Sequence, residues 1–336
     1  MTKVITFLSV CLLLLSSCNK QGQENTRSEK DIVATDIRGK EVRLQEPAQR
    51  VIVLFQAALD GMYMLNAEHT IIGIQSRIYS NPESFHYFSK LDPRIARKEL
   101  ATPGNWENSA NMESVIALNP DLVIVDARQT DAISLLENLD INVFAVSSNT
   151  NEELFLELEG IGKLTGTQAR AKELLAYTQS KLEEIKAKTQ DISPKKSVYY
   201  AWSGGRIYST SGRNSRMNDC LELAGAVNAC TFAIDQPNVN PETLISWDPD
   251  LILLWGTDPQ AVYSKKELRV LKAVQNKEVY VLEPSFYYDP HTLKILSAAI
   301  LLNKFCYADK GSFDLEESRK EIMMNLYGAK ATALFQ

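Results

Sequence analysis

Side chains able to do covalent chemistry are few and scattered in this chain. The three histidines, His69, His86 and His291, have no Cys or second His at ligand spacing, so a protein-built zinc site is unsupported. There is no Gly-x-Ser-x-Gly elbow, no P-loop and no His–Cys cluster, and Ser203-Gly-Gly-Arg206 with Gly212 is too sparse for a dinucleotide fingerprint. No catalytic residue, cofactor or protein metal ligand is therefore expected. What recurs instead is arginine and aromatic side chains beside apolar runs. These are Phe55 and Gln56, Arg77 and Tyr79, Trp106, Trp202 and Tyr208, Arg213 and Arg216, Trp255, and Phe286-Tyr287-Tyr288. Their chemistry is non-covalent capture. Guanidinium forks bind carboxylates and other anions, and rings stack on planar or macrocyclic ligands at small entropy cost. Ser211-Gly-Arg-Asn-Ser215 adds backbone N–H groups at a helix start, which suits an anion. Trp106 and Tyr208 lead the aromatic candidates. Core packing is the competing account of each ring, and it is preferred for Trp247.

Capture needs elements that hold these residues around a cavity, and a repeat supplies them. Asn111–Val125, Asn-Met-Glu-Ser-Val-Ile-Ala-Leu-Asn-Pro-Asp-Leu-Val-Ile-Val, recurs 129 residues on as Asn-Pro-Glu-Thr-Leu-Ile-Ser-Trp-Asp-Pro-Asp-Leu-Ile-Leu-Leu at Asn240–Leu254. In each copy an Asn can cap a short helix whose apolar side chains fall at i, i+3 and i+4, and Pro stops it before an apolar strand. The spacing is too wide for a solenoid, whose periods are roughly 20–50 residues. It fits two similar α/β lobes with central sheets, and the cleft between paired lobes is a usual small-molecule site.

The rest of the chain fills in those lobes. Asp36–Leu44 reads as two short strands about Gly39, and Val51–Leu54 as a buried parallel strand. The passage Gln75–Trp106 is long for a loop unless it is functional or locally helical. Thr150 and Glu153 form a capping box for a helix over about 151–164. Thr167–Gln190 carries Ala171, Leu174, Leu175, Thr178, Leu182 and Ile185 at nearly helical spacing, a single long amphipathic helix joining the lobes. Ser197–Trp202 and Gly204–Thr210 are expected to pair as a hairpin, Lys265–Val274 to be a helix, and Pro290–Tyr307 and Glu316–Tyr327 to be closing helices. The boundaries are 31–160 for the first lobe, 161–193 for the interlobe helix and 194–336 for the second lobe.

With 336 residues and 45% hydrophobic content the chain can bury sizeable cores. Its net charge of −6 argues against sequence-independent nucleic-acid binding, which requires a basic face. At the N-terminus, Lys3 precedes the apolar run Val4–Leu15 and then Leu15-Ser-Ser-Cys18, a signal peptide over 1–18 whose end resembles a bacterial lipobox. Cys18 is thus the expected lipidation site, with 19–30 a flexible tether holding the protein to a membrane of the cell envelope, facing periplasm or exterior. Cys220, Cys230 and Cys306 remain. An odd number excludes a complete disulfide framework, and buried thiols are the preferred reading over a Cys220–Cys230 bridge.

The ordered set Asp36, Gly39, Val42, Leu44, Pro47 and Arg50-Val51, followed later by Glu222-Leu-Ala-Gly-Ala-Val-Asn228, resembles the helical-backbone class of substrate-binding proteins that serve ATP-binding-cassette importers of iron–siderophore, haem and cobalamin. Ala226 stands where that class has a second glycine. The resemblance implies two α/β lobes joined by one long helix, modest closure on ligand, and a monomer that delivers a metal chelate, foremost an iron(III)–siderophore, to a permease dimer with its ATPase subunits; cobalamin, haem or a molybdate-like oxyanion are the alternative cargoes of the same class, and a surface structural or adhesive lipoprotein is the non-transport alternative. It also implies a docking role for the duplicated Glu113 and Glu242, one per lobe, against permease arginines. The competing account is that each carboxylate, second in its helix, only complements the macrodipole.

Overall fold

The computed structural model describes residues 31–104, 111–202, 204–308 and 313–336. Cys18, the tether and Trp106 lie outside them. Strands are numbered in chain order. β1 (Ile32–Thr35) and β2 (Glu41–Leu44) form an antiparallel hairpin, turned at Gly39 with φ 78°. β3 (Val51–Val53), β4 (Ile71–Gln75), β5 (Ala101–Gly104), β6 (Leu122–Asp126) and β7 (Val143–Val146) make a parallel sheet in the order β5-β4-β3-β6-β7. The second sheet, also parallel, comprises β8 (Ser197–Ala201), β9 (Val227–Asn228), β10 (Leu251–Leu254) and β11 (Val279–Val281) in the order β11-β10-β8-β9. Both faces of each sheet are covered, which is why the central strands are unbroken apolar runs such as Val51-Ile-Val and Leu251-Ile-Leu-Leu, every residue buried.

The two repeat copies occupy equivalent places, as the helix Met112–Ala117 before β6 and the helix Pro241–Trp247 before β10. Each is capped as its sequence requires: the Asn111 side chain accepts from Ser114 N at 3.1 Å and that of Asn240 from Thr243 N at 2.8 Å. Thr150 caps the helix Asn151–Leu164 through Glu153 N at 3.1 Å. The passage after β4 is locally helical, with Arg77–Ser80, Pro82–Leu91 and Pro93–Ala96 preceding β5.

The helix Gln168–Thr189 has 22 residues, roughly 33 Å at 1.5 Å per residue, and joins the lobes. Its buried face, including Ala171, Leu174, Thr178 and Ile185, packs on Asn151–Leu164 at the first lobe and on the helices Arg216–Leu223 and Ile295–Cys306 at the second. The last helix, Leu315–Tyr327, and the 3-10 segment Gly328–Phe335 cross back to the first lobe, where Lys330 pairs with Glu68 at 2.5 Å.

Two local expectations are corrected. Gly204–Thr210 makes turns with isolated bridges instead of a hairpin strand, because Gly204 and Gly205 both take φ 72° and the Tyr199 hydroxyl donates to Ile207 O at 2.8 Å, pinning the loop inward. Lys265–Val274 is broken into the 3-10 turn Lys266–Val270 and the helix Lys272–Gln275, whose first amide is held by Asp248 Oδ1 at 2.9 Å. Cys220, Cys230 and Cys306 are buried free thiols. Among the described residues no helix is long and apolar enough to cross a membrane.

Candidate functional site

In an open parallel sheet, ligands bind beyond the carboxyl ends of strands where the strand order reverses. In the first sheet that point lies between β3 and β6, and the residues leaving those strands are Phe55 and Gln56 on one side and Arg128 on the other. In the second it lies between β8 and β10, from which Trp202 and Trp255 emerge. The two switch points face each other. Gln56 and Trp255 border one small cavity, and Arg128 of the first lobe acts electrostatically on Asp235 of the second. Burial pushes the Asp235 carboxyl up, and His291 and Arg128 pull it back. Trp202 donates Nε1–H to Thr210 O at 3.0 Å, which fixes the indole 6.0 Å from the His291 ring.

Beneath this opening the lobes are sealed. Lys294 Nζ lies 2.6 Å from Asp60 Oδ2, both side chains buried, and 3.9 Å above the Phe286 ring. Tyr327 donates its hydroxyl to Asp60 Oδ1 at 2.5 Å. Burial raises the Asp60 carboxyl above its ordinary range, against the pull of Lys294 and Tyr327. Glu83 of the first lobe accepts from Ser285 Oγ at 2.6 Å and Phe286 N at 2.7 Å. The cavity left among Gln56, Asp60, Trp255, Asp289 and Lys294 is about 20 Å³, room for one water.

Gln56, Trp255 and Phe286 line the cavity at the cleft floor, and Phe55 and Trp202 stand at the strand ends of the two switch points. Arg213 is exposed and its guanidinium has no hydrogen bond to a described residue. Arg77 begins the short helix after β4, half-buried. Four candidates are accounted for elsewhere. Tyr79 spends its hydroxyl on Leu100 N and O, each at 3.2 Å. Tyr208 donates to Glu267 at 2.7 Å with Lys265 Nζ 5.1 Å over its ring, in the outer layer that also holds Trp247. Tyr287 donates to Leu334 O at 2.6 Å and stacks on Phe335, under the C-terminal segment. Arg216 turns inward at 1% exposure, donating Nε–H to Pro290 O at 3.0 Å and Nη1–H to Asn151 of the first lobe. Its Nη2 has no partner among the described residues, and burial lowers the pKa of the guanidinium. Arg216 is therefore an interlobe strut.

Sequence reasoning passed over Arg128, Asp235 and His291. Arg128 had a usable signal, since it lies two residues past Asp126, the position that matches Trp255 in the repeat. Asp235 and His291 had none, because loops bring them in. Glu113 and Glu242 are exposed at the second residue of their helices, and neither carboxylate is bonded to a described residue.

A two-lobed parallel α/β fold with its switch points facing across a cleft defines a small-molecule binding protein. The chain belongs to the periplasmic binding protein family, which matches residues 51–286 and is a family of binding proteins, not of enzymes. It is 23% identical over 291 residues to an uncharacterized ABC transporter substrate-binding lipoprotein of Bacillus subtilis (strain 168), covering 82% of this chain and 88% of that one. It is 27% identical over 310 residues to the iron(3+)-hydroxamate-binding protein of the same organism, covering 84% and 92%. Among solved structures, the molybdate-bound molybdate-binding protein of Haemophilus influenzae superposes with a TM-score of 0.76 at 21% identity, covering 88% of this chain and 97% of that one. At that identity the superposition speaks for the fold.

Proposed function

We propose that this protein is the substrate-binding component of an ABC importer, capturing a metal chelate, foremost an iron(III)–siderophore, between its lobes and passing it to a dimeric permease and its ATPases. The carrying observation is the apposition of the two switch points, with Arg128, its guanidinium held by Asp126, acting across to Asp235 of the second lobe, and Trp202 and Trp255 at that lobe's strand ends. A cationic fork plus stacking surface suits an anionic organic chelate better than a bare oxyanion, which has nothing for the indoles to cover. Iron(3+)-hydroxamate binding by a relative agrees with that chemistry. The floor cavity is too small for any chelate, so cargo sits above the Asp60–Lys294 seal. Cys18 supplies the lipid anchor, and Glu113 and Glu242 the contacts with the permease.

Tryptophan fluorescence tests this directly, because Trp202 and Trp255 border the site. Titration with ferric siderophores should quench saturably, and Arg128→Ala should weaken an anionic chelate by roughly 1.5–3 kcal/mol, the range for a lost charge-assisted bond. Saturable binding of molybdate with no response to any chelate would replace the cargo. Folded protein that binds none of iron chelates, cobalamin, haem or molybdate would sink the transport reading.

A further inference from the structure

The second lobe holds two large apolar side chains out in water beside the cleft. Phe232 is 41% exposed and Ile234 56% exposed, two residues apart in the stretch before the helix Pro241–Trp247. Their exposure is not slack in the chain. Arg213 N donates to Phe232 O at 2.8 Å, Asn214 Nδ2 to Ala233 O at 2.9 Å, Gly212 N to Asp235 O at 2.9 Å and Thr210 N to Pro237 O at 3.0 Å. Glycine at 212 permits this close approach, since a β-carbon there would lie 2.0 Å from Ile234 O and 2.5 Å from Phe232 O. The backbone thus fixes both side chains outward, although burying either would be favourable. A scattered exposed apolar residue needs no explanation, but a fixed pair beside other unengaged groups marks an interaction surface.

The neighbours of the pair indicate what covers it. Phe232 stands edge-on to Trp247 with ring centroids 5.5 Å apart, and Trp247 ends the helix that carries the exposed Glu242. Asp235, the residue after Ile234, acts on Arg128 of the first lobe across the cleft. The pair therefore lies between the Glu242 helix and the mouth of the cleft, and whatever receives the cargo must seat on that mouth. The first lobe has its own version. Ile116 is 46% exposed, one turn beyond the exposed Glu113 on the same helix. Its repeat equivalent, Ile245, is half-buried against the outer core of the second lobe, so there Phe232 and Ile234 supply the apolar surface instead. Each lobe thus offers a carboxylate with large apolar side chains beside it. Exposed carboxylates steer and select a partner but add little affinity, which comes from apolar anchors seated in its pockets. Resting on the receptor reading above, we propose that Phe232 and Ile234, together with Ile116, are apolar anchors that seat the protein on the permease and supply most of the docking affinity.

The test uses native-host cells without the chromosomal copy, carrying the full-length protein as wild type, as Phe232→Ser with Ile234→Ser, as Phe232→Leu with Ile234→Val, or as Glu113→Lys with Glu242→Lys. Uptake is measured for whichever of ferric hydroxamate, haemin, cyanocobalamin and molybdate the wild type takes up. Cargo affinity, from tryptophan quenching, and melting temperature are measured on the same variants after purification. In a parallel experiment Ile234 is replaced by the photo-crosslinker p-benzoylphenylalanine, and the captured partner is identified by mass spectrometry. The serine pair should keep cargo affinity and melting temperature while its uptake rate falls about ten-fold, and the Leu–Val pair should retain uptake. The crosslink should form to the membrane-spanning subunit of the importer. Ile234→Ser alone, at the more exposed position, carries the test if the serine pair melts lower than wild type. Wild-type uptake by the folded serine variant would overturn the proposal, and a simultaneous loss in the Glu variant would leave docking to charge alone. Cargo affinity falling in step with uptake would overturn it by placing the pair in the cargo site. Crosslinks only to lipid or to a second copy of this chain would also overturn it. If the wild type takes up none of the four probes, the receptor reading falls and this proposal with it.

Discussion

A single carboxylate shows how much of this fold rests on residues that no sequence pattern marks. Asp92 is buried and accepts from Arg94 N at 2.9 Å, Arg94 Nη2 at 2.7 Å and Tyr63 Oη at 3.0 Å, while Arg94 reaches on to Ile71 O and Glu68 O. Burial alone would raise its pKa, but the bonds from Arg94 and Tyr63 outweigh it and the carboxyl sits below its ordinary value. A depressed folded pKa stabilises above the unfolded value, about 3.9 for Asp, and that contribution is lost as pH falls through the folded value. Asp92→Asn should therefore lower the melting temperature at pH 7 by the equivalent of roughly 1.5–3 kcal/mol, with the gap closing below about pH 4. A gap that stays constant from pH 7 to pH 3 would mean that packing, not charge, does the stabilising. The caps Asn111, Thr150 and Asn240 were legible because a cap and its amide are three residues apart. Asp92 and Tyr63 are 29 residues apart, and nothing local announces them. The same contrast separates Trp202 and Trp255, each the first residue after a buried strand, from His291, which a loop delivers.

At the level of elements, apolar runs and repeated segments were readable, and breaks imposed from elsewhere were not. The interlobe helix falls within one residue of its periodic pattern at each end, since burial on one face is what the pattern encodes. The helix expected over Lys265–Val274 breaks because Asp248, from the second repeat copy, holds the amide of Lys272. The repeat helices themselves carry a prediction. They are short, capped alike, and present Glu113 and Glu242 to solvent unengaged. If these carboxylates meet permease arginines, Glu113→Lys and Glu242→Lys should each reduce vesicle uptake, and the double variant more so, while ligand affinity and melting temperature hold. If they serve only the helix dipoles, each change should cost about 0.3–1 kcal/mol of stability and uptake should track stability alone. Normal uptake with both charges reversed would remove the docking assignment.

For the whole molecule, the question is what sets the relation between the lobes, and the structure shows more than the interlobe helix. Asp60 comes from the first lobe, Lys294 from the second, and Tyr327 from the C-terminal helix that crosses back, all three buried at one junction. Glu83 with Ser285 and Phe286, and Arg216 with Asn151, tie the same seam on either side. None of these pairs was legible, because their members lie tens to hundreds of residues apart and become partners only once both sheets exist. A buried ion pair is weak support for net stability, since desolvation offsets much of the attraction, but losing one partner strands a charge. Lys294→Met should thus destabilise by about 3–5 kcal/mol by leaving Asp60 unpaired, while Asp60→Asn with Lys294→Met should recover most of that loss. Asp60, already raised by burial, should in the single variant take up its proton nearer neutrality, so that the destabilisation shrinks as pH falls from 7 toward 5. Denaturant midpoints for wild type and the two variants at both pH values measure each term. If the pair's role is to hold the lobes in place, the stable double variant should still bind cargo, but with a slower association rate, because lobes released from the seam must find the bound arrangement before the switch points can meet around the ligand. Association rates equal to wild type in a stable double variant would show that the long helix and the flanking ties suffice without the Asp60–Lys294 seam.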